Sequence, residues 1–225
     1  VASSTGQFYY NIYGSSQATG SVQFAITYCD AEGSGSEDEF DEDDDVGSGD
    51  DQDGAEETGM KVKIRTVPRI SSNIEKIEPS VPVENEIYCS KEDLIECSGL
   101  AIGSPTRFGS MASSLKYFLD STGDIWATNQ LEDKPGLAFT STGSMHGGQE
   151  ITLYNLITFM LHHGMIIQGT PYSFNELNDT KSGGTPYGPS HVESFNSSSE
   201  LTPHEYQIAK KSGARLANQI IKMTK

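Results

Sequence analysis

The chain has 225 residues, 35% of them hydrophobic, enough for one domain of ordinary size with a full core. Its formal charge of −17 is local, because residues 37–57 hold 13 of the 32 acidic side chains and no basic one; the remainder sets 19 acids against 15 lysines and arginines. Without a basic face a nucleic-acid partner is disfavoured. Three cysteines with no CxxC pair argue against a disulfide framework or a metal centre, and no apolar run approaches the ~20 residues of a bilayer span. The start, VASSTGQ, lacks a signal peptide's charged and apolar regions, so the expected setting is soluble and cytoplasmic.

In chain order, Gln7 to Ile12 has the aromatic and β-branched content of a strand. Tyr13-Gly14-Ser15-Ser16-Gln17-Ala18-Thr19 follows as a small, hydroxyl-rich loop, and Val22, Ala25, Ile26 and Cys29 recur at helical spacing. Such a loop before a helix either wraps a phosphate with its N–H groups and hydroxyls or is a plain serine-rich turn. Residues 33–59 are almost wholly Gly, Ser, Asp and Glu, cannot bury enough surface to offset ordering, and read as a disordered acidic insertion within a single domain spanning 1–225. Met60 to Val67 alternates apolar and basic residues, a second strand, and residues 68–89 form a proline-containing surface connection. Ser90-Lys91-Glu92-Asp93 caps a short helix running to about Cys97.

Gly99 to Phe118 is the organising stretch. Leu100, Ala101 and Ile102 form a strand buried on both faces, Ser104 to Gly109 a polar loop, and Met111, Leu115, Phe118 and Leu119 the stripe of a helix. Thr122 to Trp126 is a loop carrying the only tryptophan. Pro135 to Phe139 is the next strand, followed by a second glycine- and hydroxyl-rich loop, Thr140 to Gln149. Ile151 to His163 is a helix apolar nearly all round, closed by His162 and His163; a histidine there either serves a site or answers the helix dipole. Met165 to Gln168 is the last strand, residues 170–200 a long segment without helical or strand period, and Thr202-Pro203-His204-Glu205 a capping box opening the final helix. The alternation gives an α/β fold, a flavodoxin-like doubly wound sheet of five parallel strands in the order 2-1-3-4-5 within three αβα layers. In that order the loops after strands one, three and four share one rim.

GSPTRFGSM (103–111), FLDSTGDIW (118–126), FTSTGSMHGGQE (139–150), LHHGM (161–165) and GGTPYG (183–188), in this order and spacing, resemble the WrbA-type NAD(P)H:quinone oxidoreductases over nearly all of 61–225. The resemblance implies an FMN-dependent enzyme that passes two electrons from NAD(P)H to a quinone in ping-pong fashion, and a homo-tetramer. By position it assigns the flavin ring to Thr106, Arg107 and Phe108, and the second FMN loop to Ser141, Thr142, Gly143, Ser144 and Met145 with His146 and Gly147. It assigns the phosphate loop to Asn11, Ile12, Tyr13, Gly14, Ser15 and Ser16, with Asn11 where the family usually has Ser; Tyr13 also matches the position that meets the nicotinamide. Trp126 would wall the substrate side and His162 would stand near both flavin and substrate as a catalytic residue. Two other functions remain compatible with the sequence, a flavodoxin-type electron carrier and a flavin-free binding or scaffold protein that retains the fold.

Overall fold

A computed structural model of the chain describes residues 26–30, 58–65, 67, 88–193 and 201–223. The strand over 7–12, the phosphate loop 11–16, the acidic segment up to residue 57 and all of the connection over 68–87 lie outside the described residues.

Two strands carry the middle of the sheet. β1 is Ile26–Asp30, β2 Lys61–Arg65, β3 Leu100–Pro105 and β4 Pro135–Thr142. β3 and β4 run parallel in register from Leu100 opposite Gly136 to Pro105 opposite Ser141. Strand alternation then dictates two apolar faces. Leu100, Ile102 and Ala138 point into one cluster, Ala101, Leu137 and Phe139 into the other. The first cluster is covered by α1 (Lys91–Glu96), α2 (Ser113–Asp120), the short α3 (Gly123–Ala127) and α4 (Gln149–His162). The second is covered by α6 (Pro203–Met223), through Ala209, Leu216, Ala217 and Ile220. This is the expected three-layer, flavodoxin-like α/β arrangement. At the centre, Gly103 lies opposite Phe139, and a Cβ there would collide with the Phe139 ring; the bare glycine is what lets the ring lie flat on the sheet.

The fifth position of the sheet is split. β5 (Ile166–Ile167) pairs with Pro135 and Gly136, and β6 (Ser190–Val192) pairs with Thr140 to Thr142, both parallel to β4. Residues 168–189 are an excursion between the two halves, with the short α5 (Asn175–Asp179) held to α6 by the Glu176–Lys211 ion pair. Over 170–193, the described part of the segment expected to lack a helical or strand period, there are elements after all: they are too short for a period to show and are fixed by their neighbours.

Two further expectations are corrected. Ile26–Asp30, the second half of the expected first helix, is a strand, antiparallel to both β2 and β3. Its run of β-branched and aromatic residues, Ile26, Thr27 and Tyr28, outweighs the helical spacing. The described strands run β2-β1-β3-β4-β5, but this β1 is not the segment 7–12 and is not parallel to its neighbours. Thr122 to Trp126 is largely helical, since α3 places Trp126 on a helical turn rather than a loop.

Both helix starts read from the sequence are realised. Ser90 accepts the Asp93 N–H at 3.1 Å while Asp93 accepts the Ser90 N–H at 2.9 Å, and Arg65 on β2 adds a 3.1 Å bond to the same carboxylate. Burial at Asp93 works against ionisation, but the Ser90 backbone and Arg65 outweigh it and hold the carboxyl below its ordinary range. Leu156, on the inner face of α4, has no exposed surface. Leu156→Ala is expected to cost about 2–5 kcal/mol, read as a lower urea midpoint at unchanged slope. An unchanged midpoint would mean that α4 does not pack on β3 and β4 as described.

Candidate active site

The carboxyl ends of β3, β4 and β6 open on one rim, and the two glycine-rich loops meet there. Thr106 donates its N–H to Ser141 O at 2.8 Å, continuing the parallel ladder, and its hydroxyl lies 3.0 Å from Thr152 Oγ1 on α4 and 3.4 Å from Thr140 Oγ1. Of the residues assigned to the flavin ring, Thr106 thus turns its side chain inward to join β3, β4 and α4. Arg107 and Ser110 exchange backbone hydrogen bonds at 2.8 and 3.0 Å around Phe108 (φ 51°) and Gly109 (φ 76°), a tight turn with both central residues left-handed. Asn155 of α4 donates to Gly109 O at 3.3 Å and pins this turn. At its tip Phe108 is fully exposed, at 107% of reference, and Arg107 beside it is exposed as well.

The second loop braces itself. Thr142 Oγ1 donates to Ser144 O at 3.2 Å and accepts from Ser144 N–H at 3.4 Å, and Gly147 N–H donates to Ser144 O at 3.0 Å. A Cβ on Gly147 would strike Thr142 Oγ1. One on Gly148, whose φ is 103°, would stand 2.9 Å from Gly109 Cα. The two loops touch backbone to backbone beside the start of α4, whose first-turn N–H groups have no partner among the described residues and carry the partial positive charge of that helix end. Hydroxyls and free helix amides, beside the left-handed Gly109 and Gly148, form a donor set, a cradle that suits the polar edge of a flavin.

His162 and Trp126 are elsewhere. α4 is 14 residues, about 20 Å long, with the cradle at its first turn and His162 at its last. The two residues line a groove of about 670 Å³ between α4 and the α2–α3 corner, bounded by Met111, Leu119, Tyr154, Phe159 and His163 among others. Within one chain the structure brings Thr106 to Phe108 together with Ser141 to Gly147, but leaves His162 and Trp126 at the other end of the helix. His163, 8% exposed, is the buried member of the pair: its ring packs 4.5 Å from Phe159 and its Nε2 is 3.4 Å from Thr122 Oγ1. Thr122 spends its own proton on Leu119 O at 2.7 Å, so Nε2 is the donor there. Burial, then the neighbouring His162, pushes the His163 imidazole below its ordinary value and keeps it neutral. Among the described residues no cluster of His, Cys, Asp or Glu could hold a metal, and no helix is long and apolar enough to cross a membrane.

Residues 52–178 match the NADPH-dependent FMN reductase family. The chain is 37% identical over 178 residues to an NAD(P)H dehydrogenase (quinone) of Geotalea daltonii, covering 76% of this chain and 87% of that one.

The chain belongs to this FMN reductase family.

The NAD(P)H dehydrogenase (quinone) of Chromohalobacter salexigens is 45% identical over 132 residues, covering 58% of this chain and 66% of the relative. A solved WrbA-like flavodoxin from Agrobacterium tumefaciens overlays 60% of this chain and 75% of its own, with a TM-score of 0.46 and 22% identity. The WrbA-type resemblance seen in the motifs is borne out by the family match and the curated relatives. What the motifs did not reveal in this FMN reductase family member is the contact that Gln149 makes. It sits in the quoted GSMHGGQE stretch, and its carboxamide reaches back to Met145 O at 2.9 Å. A glutamine placed directly after a glycine pair, at the first turn of a helix without a side-chain cap, was the available signal.

Proposed function

We propose that this chain is an FMN-dependent NAD(P)H:quinone oxidoreductase that reduces quinones by two electrons in ping-pong fashion, works as a homo-tetramer, and resides in the cytoplasm. The observation that carries the reading is the backbone contact of Gly109 with Gly148, which brings the two loops of the motif set together beyond β3 and β4, beside the unpartnered first-turn N–H groups of α4. In this assignment Asn11 to Ser16 hold the phosphate end of FMN, while Thr106 to Phe108 and Ser141 to Gly147 hold the ring. Bound FMN supplies the hydride-accepting and hydride-donating chemistry that no side chain has.

The chain's own residues orient and screen. Arg107 and the first turn of α4 put positive charge beside the rim, where negative charge would gather on reduction. NAD(P)H and the quinone then take the same place in turn, against the flat face of Trp126, with His162 as the proton holder beside the quinone oxygen. Because these two residues lie about a helix length from the cradle of their own chain, the tetramer has a chemical purpose in this reading: a second copy brings its Trp126 and His162 to the cradle. The apolar residues left open on that side, Phe108, Ile151, Tyr154, Leu161 and Trp126, are the surface such a contact would bury.

The test is the visible spectrum of the purified protein followed by anaerobic titration with NADH and NADPH. The expected result is a yellow protein that bleaches with either donor and regains colour stoichiometrically with a quinone. A colourless protein that takes up no added FMN would favour a flavin-free scaffold. Recolouring only by one-electron acceptors would favour a carrier.

A further inference from the structure

We propose that Gln149 is a positioning residue for the flavin loop: its buried carboxamide fixes the peptide between Met145 and His146 so that the His146 N–H faces the rim. The inference rests on the reading that this loop takes FMN. Gly148, the residue before α4, offers no side-chain cap, and the Gln149 side chain turns back toward the loop. Its Nε2 donates to Met145 O at 2.9 Å, and its Oε1 accepts from Ser190 Oγ at 3.5 Å. Ser190 Oγ in turn accepts the Gly184 N–H at 2.8 Å. The donors all run one way, from Gly184 through Ser190 and Gln149 to Met145.

Gln149 and Ser190 are 9% and 2% exposed, so this chain of bonds is shielded from water and its direction is costly to reverse. A peptide unit is planar and trans, which sets the carbonyl of Met145 and the N–H of His146 on opposite sides. With the carbonyl drawn inward by Gln149, the His146 N–H is turned outward, and it makes no hydrogen bond to a described residue. Through Ser190 the same carboxamide ties the loop to β6 and to the glycine pair ending the excursion.

The experiment is FMN titration by quenching of flavin fluorescence, for the wild type, Gln149→Met and Gln149→Glu, at pH 5 and pH 8, with apo melting temperatures alongside. Gln149→Met is expected to weaken FMN binding about tenfold or more at both pH values, since no donor remains for Met145 O. Gln149→Glu is expected to bind as weakly at pH 8, where a carboxylate can only accept, and to recover toward the wild-type constant at pH 5, because burial against the Met145 carbonyl raises its pKa above the ordinary ~4.3 and its protonated form donates. Should Gln149→Met not fold, the two pH values within Gln149→Glu still decide the matter. Wild-type affinity in Gln149→Met, or a pH course in Gln149→Glu that parallels the wild type, overturns the proposal. A wild type that takes up no FMN at all overturns instead the flavin reading beneath it.

Discussion

Replacing Glu205 with alanine is expected to remove about 3–5 kcal/mol of stability, the largest single effect anticipated in this fold. Glu205 stands at the third position of α6 and completes the capping box, taking the Thr202 N–H on Oε2 at 2.8 Å while Thr202 Oγ1 accepts its own N–H at 3.3 Å. The same carboxylate accepts Gly183 N–H at 2.8 Å and Val192 N–H at 3.0 Å on Oε1, and lies 3.0 Å from His191 Nδ1 through Oε2. One buried group thereby closes a helix, β6 and the end of the excursion. Alanine would strand several buried donors at once, whereas glutamine keeps one acceptor and should cost less.

The pH dependence follows with a defined sign. Burial alone would raise the Glu205 pKa, but the His191 partner and the backbone donors outweigh it and lower the value from 4.5 to about 2. A group depressed in the folded state stabilises fully above its unfolded pKa and loses that contribution as pH falls through the folded one. Between about pH 5 and pH 2 the wild type should therefore lose roughly 3 kcal/mol more than Glu205→Gln, measured by denaturant unfolding. Parallel pH curves for the two proteins would contradict the assignment.

The second large effect belongs to the cradle. Gly148→Ala is expected to weaken FMN binding about 30- to 150-fold, corresponding to roughly 2–3 kcal/mol. Its φ of 103° is unfavourable for any side chain, and the new Cβ would stand 2.9 Å from Gly109 Cα and 3.3 Å from Thr106 Cγ2, so one loop must move off the other. Gly123→Ala, at the start of α3 and outside both loops, is the control: a Cβ there meets nothing within 4 Å, and FMN binding should stay near wild type. Equal affinities for the two variants would show that the loop contact does not shape the site.

These two positions show how unevenly the fold and the site could be read in advance. The apolar runs Leu100 to Ile102 and Pro135 to Phe139 are bounded by glycine and proline and buried on both faces, so they announce strands without help from the rest of the chain. The starts of α1 and α6 were legible because a capping box is complete within four residues. The second task of Glu205 was not, since His191 and Gly183 reach it only once β6 has paired with β4. β6 itself is three residues whose strand character comes from Thr140 to Thr142 rather than from Ser190 to Val192. The two loops of the cradle were found by composition, while the separation of His162 from them was already implicit in the helix read over 151–163 and runs against the motif assignment, which sets both beside one flavin. β1 was misread because its residues satisfy both a helical spacing and a β-branched run, and only the partner strands break the tie.

The detour between β5 and β6 leaves β4 and returns to it in the same row. Its span therefore does not set the offset of either half, because each is held by its own partners on β4. Turns near Tyr172 and Lys181, open to water, are places where the polypeptide could grow or shrink, or accept a spliced reporter, with the sheet beneath undisturbed. Related chains are accordingly expected to differ in length along this margin while keeping the rim constant.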